Sequence, residues 1–327
     1  MEEIGLSDKK MTGMPSKIFI YAIFLAYPLV FHDYYYDIVT CKYFILIMAT
    51  LLLLTFTMMT EDKKFLQNMH LMPVDYAVIS LLLINILSVI GSENKIYALN
   101  GADGRFNGLV TVFLYCIIYF IISRGDYDKG RFYFILAVGS IFVSAIGILN
   151  FADIDIFGFY DGLQMEQKQF YISTLGHVNV YSGYFSLTIP VLLIHYLEAT
   201  KIKQTIFYFM ASVINIIALL CGGCESAAVI LITAGLCALL YCKRLNMIKW
   251  TVILFFVLIW NKACIFVNNR KTEPRILSRT VKFLGDNGVI AGIMVICMCF
   301  TFVWLLVRQK EGGKWLKYTL VVLCVLI

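Results

Sequence analysis

Tyr43-Phe-Ile-Leu-Ile-Met-Ala-Thr-Leu-Leu-Leu-Leu-Thr-Phe-Thr-Met-Met-Thr60 is an eighteen-residue run without a single charge. A run of that length and apolarity is long enough to be a membrane span. A surface helix of a soluble protein would show one apolar and one polar face, and this run does not. Working outward, nine further apolar runs follow the same pattern, at 16–31, 74–90, 108–123, 132–150, 178–197, 205–221, 227–241, 250–267 and 288–307. An eleventh begins near Tyr318 and reaches only Ile327, ten residues, too short to cross about 30 Å of hydrocarbon. The runs are far longer than the strands of a membrane barrel, so they are predicted to be helices.

Composition agrees with this reading. Of 327 residues, 61% are hydrophobic and 15% charged, and the mean hydropathy is +0.82. Soluble domains are about 45–50% apolar and about 25% charged. A soluble enzyme, a disordered chain and a disulfide scaffold are therefore set aside. The expected fold is all-α: a polytopic transmembrane helix bundle of about ten spans plus a partial eleventh, occupying residues 16–327 behind a polar cytoplasmic tail, 1–15. No cleavable signal pattern is expected in that tail. The ten cysteines mostly sit in apolar runs, where a thiol packs as a small hydrophobe. Cys221 and Cys224 form a C-x-x-C without a second ligand pair.

Charge placement predicts orientation. Seventeen of the 27 lysines and arginines fall in one alternate set of loops, beginning with the N-terminal tail. The positive-inside rule puts that set, and the N-terminus, in the cytoplasm. Six of the remaining ten gather in one outer loop, 261–287. Either that concentration has a use, or a span is displaced and the loop is cytoplasmic. The spans carry no charged residue away from their ends, which argues against ion coupling. Asn85 and Asn215 are expected to bond across helices, and His195 to be interfacial.

Three outer segments carry chemistry. In Leu99-Asn-Gly-Ala-Asp-Gly-Arg-Phe-Asn-Gly108, three glycines bracket Arg105. They permit tight turns or close ligand approach, and the arginine reads equally as a snorkelling residue. In Ser173-Thr-Leu-Gly-His-Val-Asn-Val-Tyr-Ser-Gly-Tyr184, His177 and Asn179 stand where water gives way to lipid. There a helix N-terminus favours anions, and His177 reads also as a plain capping residue. In the basic loop, Pro274 is a favourable first helical residue. A helix continued from it places Arg275, Arg279 and Lys282 within about 60° of one another, with apolar residues opposite. Such a face suits phosphate or anionic lipid headgroups.

Two of these stretches resemble the O-antigen ligase and polymerase family, of the Gram-positive, clostridial type. Tyr97-Ala-Leu-Asn-Gly-Ala-Asp-Gly-Arg-Phe-Asn-Gly-Leu109 is similar to its glycine-rich G-x-x-G-R-x-x-G-L stretch. Ile172 to Tyr184 is similar to its G-N-x-N-x-x-x-x-Y span entry, with His177 in place of the first Asn. Asn150-Phe-Ala-Asp-Ile-Asp-Ile-Phe-Gly resembles its N-x-x-G-I-D-P-x-G linker. The chain departs at Phe170, where many members carry Arg, and at Glu225, where they carry the Arg of S-R-G-A.

The resemblance implies a GT-C-type inverting glycosyltransferase of the cell membrane. Such an enzyme needs neither metal nor cofactor and moves a glycan from a polyprenyl pyrophosphate carrier to an acceptor glycan or lipid on the outer face. It implies pyrophosphate binding by Arg105, Arg275, Arg279 and Lys282, and substrate binding by Arg105, Asn107, His177, Asn179 and Tyr184. His177 is the candidate catalytic residue. The family's large outer loop with its catalytic His is not seen within the 327 residues. Membrane lipids are expected partners and nucleic acid is not. A flippase for a lipid-linked sugar and a non-catalytic scaffold are the alternatives.

Overall fold

The computed structural model describes residues 14–60, 71–102, 104–125, 128–241, 247–271 and 274–296. The described chain is mostly helical. Among the described residues, six helices are long and apolar enough to cross a membrane: Ile38–Thr60 (α2), Pro73–Gly91 (α3), Gly130–Phe151 (within α6, Lys129–Phe151), Val178–Glu198 (α8), Ile202–Cys221 (α9) and Ile248–Asn269 (within α11, Met247–Asn269). Shorter apolar helices are Met14–Leu29 (α1), Leu109–Ile122 (α5), Ala227–Ala238 (within α10) and Asn287–Ile296 (α13). Three short helices complete the set: Lys95–Asn100 (α4), Met165–Lys168 (α7) and Arg279–Gly285 (α12). Nine of the ten expected spans and the first half of the tenth fall on helices, six of which are long enough to cross a membrane. The second half of the tenth and the whole of the eleventh lie outside the described residues. Six long apolar helices fit a multi-pass membrane protein. On α3, Leu81, Leu83, Ile84, Leu87 and Ile90 are all exposed, a surface suited to lipid rather than water.

The chain divides into two compact units between Phe132 and Tyr133. In the first, Phe19 of α1, Leu53 of α2 and Ile121 of α5 form a buried apolar cluster. Two polar anchors secure it. Asp75, fully buried in the first turn of α3, accepts from the Met72 backbone N–H (2.7 Å), the Tyr119 hydroxyl (2.8 Å) and the Arg124 guanidinium (2.8 Å). This ties the start of α3 to the end of α5, and the buried charges survive because they are paired. Lys42, expected in an outer loop, instead lies inside α2 and donates to the Pro28 carbonyl at 3.0 Å. The side chain is buried, and its ammonium finds an acceptor there. Asn85 donates to Leu81 of its own helix at 2.8 Å rather than across to another.

In the second unit α8 is the central helix. Tyr181, Phe185, Ile189 and Leu192 form a fully buried stripe at helical spacing. Asn215 of α9 donates to Ser140 of α6 (3.1 Å) and accepts from Thr188 of α8 (3.3 Å), joining three helices as expected. At one end of α8, Lys249 donates to the carbonyls of Tyr196, Leu197 and Ala199 (2.7–3.2 Å). A cation at a helix C-terminus satisfies orphan carbonyls and opposes the dipole. His195 is packed between Tyr133 and Tyr208, its ring centroid 4.1 and 5.1 Å from theirs.

At the other end, the segment between α6 and α8 closes in a two-residue hairpin. Tyr171–Ile172 (β1) pairs antiparallel with Gly176–His177 (β2). Ser173 fixes it to α6: its N–H donates to Asn150 Oδ1 (2.9 Å) and its hydroxyl to the Val143 carbonyl (2.7 Å).

Candidate functional site

The hairpin end of the second unit holds an open cleft of about 930 Å³ between the α6–α8 segment and the loop after α11. Asn268, buried near the end of α11, holds the lining residue Arg275 by accepting from its N–H and donating to its carbonyl, both at 3.0 Å. These paired bonds hold residues 274–278 non-helical. The helix expected from Pro274 therefore starts only at Arg279, where Ser278 caps it by accepting from the Val281 N–H. Arg275, Arg279 and Lys282 consequently do not share a helical face. Arg275 turns into the cleft, whereas Arg279 and Lys282 are exposed on α12.

Arg275 donates to the Tyr160 hydroxyl (2.7 Å) and the Asn150 carbonyl (3.3 Å), with its guanidinium over the Tyr160 ring. The Tyr160 hydroxyl in turn donates to the Tyr171 carbonyl at 2.9 Å. Lys271 pairs with Asp153 at 3.1 Å, lies over the Phe151 ring and donates to the Phe151 carbonyl. Burial pushes the Lys271 ammonium below the usual lysine range, and the charge of Arg275 adds to this; Asp153 opposes it. Asp155 accepts from the Tyr160 N–H through Oδ2 (2.8 Å), while its buried Oδ1 has no hydrogen-bond partner among the described residues. Lys168, Arg270, Asp161 and Glu166 complete a lining of mixed charge.

A second polar group stands at the start of α8. His177 caps that helix, its Nδ1 accepting from the Asn179 N–H at 3.2 Å. The Asn179 side-chain oxygen accepts from the Cys224 thiol (3.3 Å), which also meets the Ser226 hydroxyl (3.0 Å). Ser226 donates to Ser182 at 3.0 Å. Burial raises the Cys224 thiol and the charge of Glu225 adds to it, but hydrogen bonds with Ser226 and Ser182 prevail and leave it below the ordinary thiol value. Glu225 itself accepts from the Arg279 N–H (3.1 and 3.2 Å). The carboxylate found where the resembled family has an arginine thus satisfies the first turn of α12. Tyr184 is turned inward, its hydroxyl buried without a partner among the described residues.

Arg105 and Asn107 belong to the first unit. Their loop closes on itself: Asn107 Oδ1 accepts from the Ala102 N–H (3.3 Å), and the Thr111 hydroxyl donates to the Phe106 carbonyl. A Cβ on Gly108 would come within 2.2 Å of the Leu99 carbonyl oxygen, so only glycine fits there. Arg105 is exposed at its tip. Sequence reasoning missed Tyr160, Lys271, Asn268 and Cys224 as site residues. Asn268 carries the one readable signal, a buried-type amide seven residues ahead of Arg275. Among the described residues no group of three or more His, Cys, Asp or Glu is placed to hold a metal ion. No family model, curated protein or solved structure matches this chain.

Proposed function

We propose that this chain is a membrane glycosyltransferase of O-antigen ligase or polymerase type. It moves a glycan from a polyprenyl pyrophosphate carrier to an acceptor hydroxyl of a glycan or lipid on the outer face of the cell membrane. The proposal includes a GT-C-like bundle of about ten spans plus a partial eleventh, with a cytoplasmic N-terminus. The observation that carries it is the cleft at the hairpin end of α8, with Arg275 held by Tyr160 and Asn150 beside Lys271.

The chemistry follows from charge. As the anomeric C–O bond breaks, negative charge gathers on the departing pyrophosphate. Cations already fixed in place stabilise that charge without reorganising. Arg275 offers a planar fork and Lys271 a point charge. On the acceptor side a hydroxyl attacks the anomeric carbon and gives up its proton. Asp155 lines the cleft, and its carboxylate is proposed to accept it. Arg279 and Lys282 of α12 are assigned to the pyrophosphate as well, and within the first unit, taken by itself, Arg105 is proposed to bind phosphate. His177 and Asn179, at the start of α8, are assigned to the glycan.

The test is transfer from a polyprenyl pyrophosphate glycan in membranes carrying the wild-type chain or a variant. Arg275→Ala is expected to lower transfer by roughly 100-fold or more. Arg275→Lys keeps the charge and loses the fork, and is expected to fall between. Unchanged transfer by Arg275→Ala, in protein whose unfolding temperature matches that of wild type, overturns the reading. Arg105→Ala is likewise expected to abolish transfer with insertion intact.

A further inference from the structure

The C-x-x-C spacing pairs Cys221 with Cys224, and the structure separates them. Cys224 faces Asn179 and Ser226. Cys221, the last residue of α9, instead faces Cys264 of α11, sulfur to sulfur at 3.6 Å. Both thiols are buried, at 3% and 8% exposure, between two helices packed against each other. Nothing in the cleft chemistry uses either sulfur.

We infer that Cys221 and Cys264 are a site of disulfide formation. A disulfide needs its sulfurs about 2.05 Å apart, so the two must approach by about 1.5 Å. Cys221 is followed directly by Gly222 and Gly223, the latter at φ +67°. Glycine backbone there allows the end of α9 to adjust while α11 stays fixed. The oxidant is a disulfide, either a small molecule or a protein. One cysteine thiolate attacks it, forming a mixed disulfide and releasing the first thiol. The second cysteine then displaces the other thiol. Two S–H bonds are lost, one S–S bond forms, and the oxidant leaves as two thiols carrying both protons.

The position gives the bond a consequence. Cys264 lies one helical turn before Asn268, which clasps Arg275. A Cβ on Gly223 would lie 3.0 Å from the Ile276 carbonyl, so the chain after Cys221 abuts the same loop. The cross-link therefore fixes both backbone segments that flank Arg275.

The experiment uses the full chain in native membranes, treated with oxidised glutathione. Free thiols are then alkylated, the protein is digested and the peptides are weighed. The expected product is a peptide pair joining Cys221 to Cys264, two hydrogens lighter than the reduced pair and separated by dithiothreitol. The oxidised protein is also expected to unfold at higher temperature, a gain absent in Cys264→Ser. Recovery of both cysteines alkylated after oxidation overturns the inference, as does recovery of Cys221 joined to Cys224. The mapping on unaltered protein needs no variant to fold.

Discussion

Gly147 of α6 faces the hydroxyl of Tyr181, and a Cβ there would sit 2.0 Å from the Tyr181 oxygen and 2.7 Å from Cζ. Tyr181 is fully buried and cannot swing aside. Gly147→Ala is therefore expected to destabilise by about 1–3 kcal/mol through overpacking, measured as unfolding in detergent. Gly183→Ala has open space around it and is expected to leave stability unchanged or slightly raised. At Cys224, hydrogen bonds favour the thiolate. Alkylation of Cys224 is expected to reach half its maximal rate at a pH below the usual thiol value of about 8.5, and Ser226→Ala is expected to move that midpoint up. Individual residues were the least legible scale. The C-x-x-C spacing shows two cysteines close in sequence, yet a helix end turns them to opposite partners. Tyr160 and Arg275 meet across 115 residues, and no local pattern announces such a pair.

Elements were legible where one property decides them. Apolar length alone locates α2, α3, α8 and α9, because backbone groups in lipid have no partner outside their own helix. Their ends depend on side chains from elsewhere. Lys42 enters α2 because a carbonyl fourteen residues away receives it. Asn268 delays α12 until Arg279 by occupying the backbone of Arg275. Proline at 274 favours a helix start, but that local preference loses to two tertiary hydrogen bonds. Asn215 joins α6, α8 and α9, and Asn215→Ala is expected to cost about 1 kcal/mol, the scale of interhelical hydrogen bonds in membranes. Lys271 gives the loop after α11 a pH dependence. Its folded-state value lies below the unfolded one, so between the two the unfolded chain binds more protons and stability rises with pH. The stability of wild type relative to Lys271→Gln is expected to increase as pH climbs through that window, read by thermal unfolding across a pH series.

Across the second unit, the residues separate by end. Lys249 and the Ala199 carbonyl mark one end of α8, and His177, Cys224 and the cleft mark the other. A helix of 21 residues at 1.5 Å per residue spans about 31 Å, the thickness of the hydrocarbon core. Single cysteines introduced at Lys201 and at Arg270 are therefore expected to react with an impermeant maleimide from opposite sides of the membrane. Labelling of both from one side would mean that α8 does not cross. In the first unit, the Asp75–Arg124 pair has a consequence in time. Its partners are 49 residues apart, and synthesis proceeds at about 5–20 residues per second, so Asp75 emerges roughly 2–10 seconds before its arginine exists. During that interval the Met72 N–H, three residues away, is already present to donate to the carboxylate. The start of α3 is thus a waiting state, and α5 completes it on arrival.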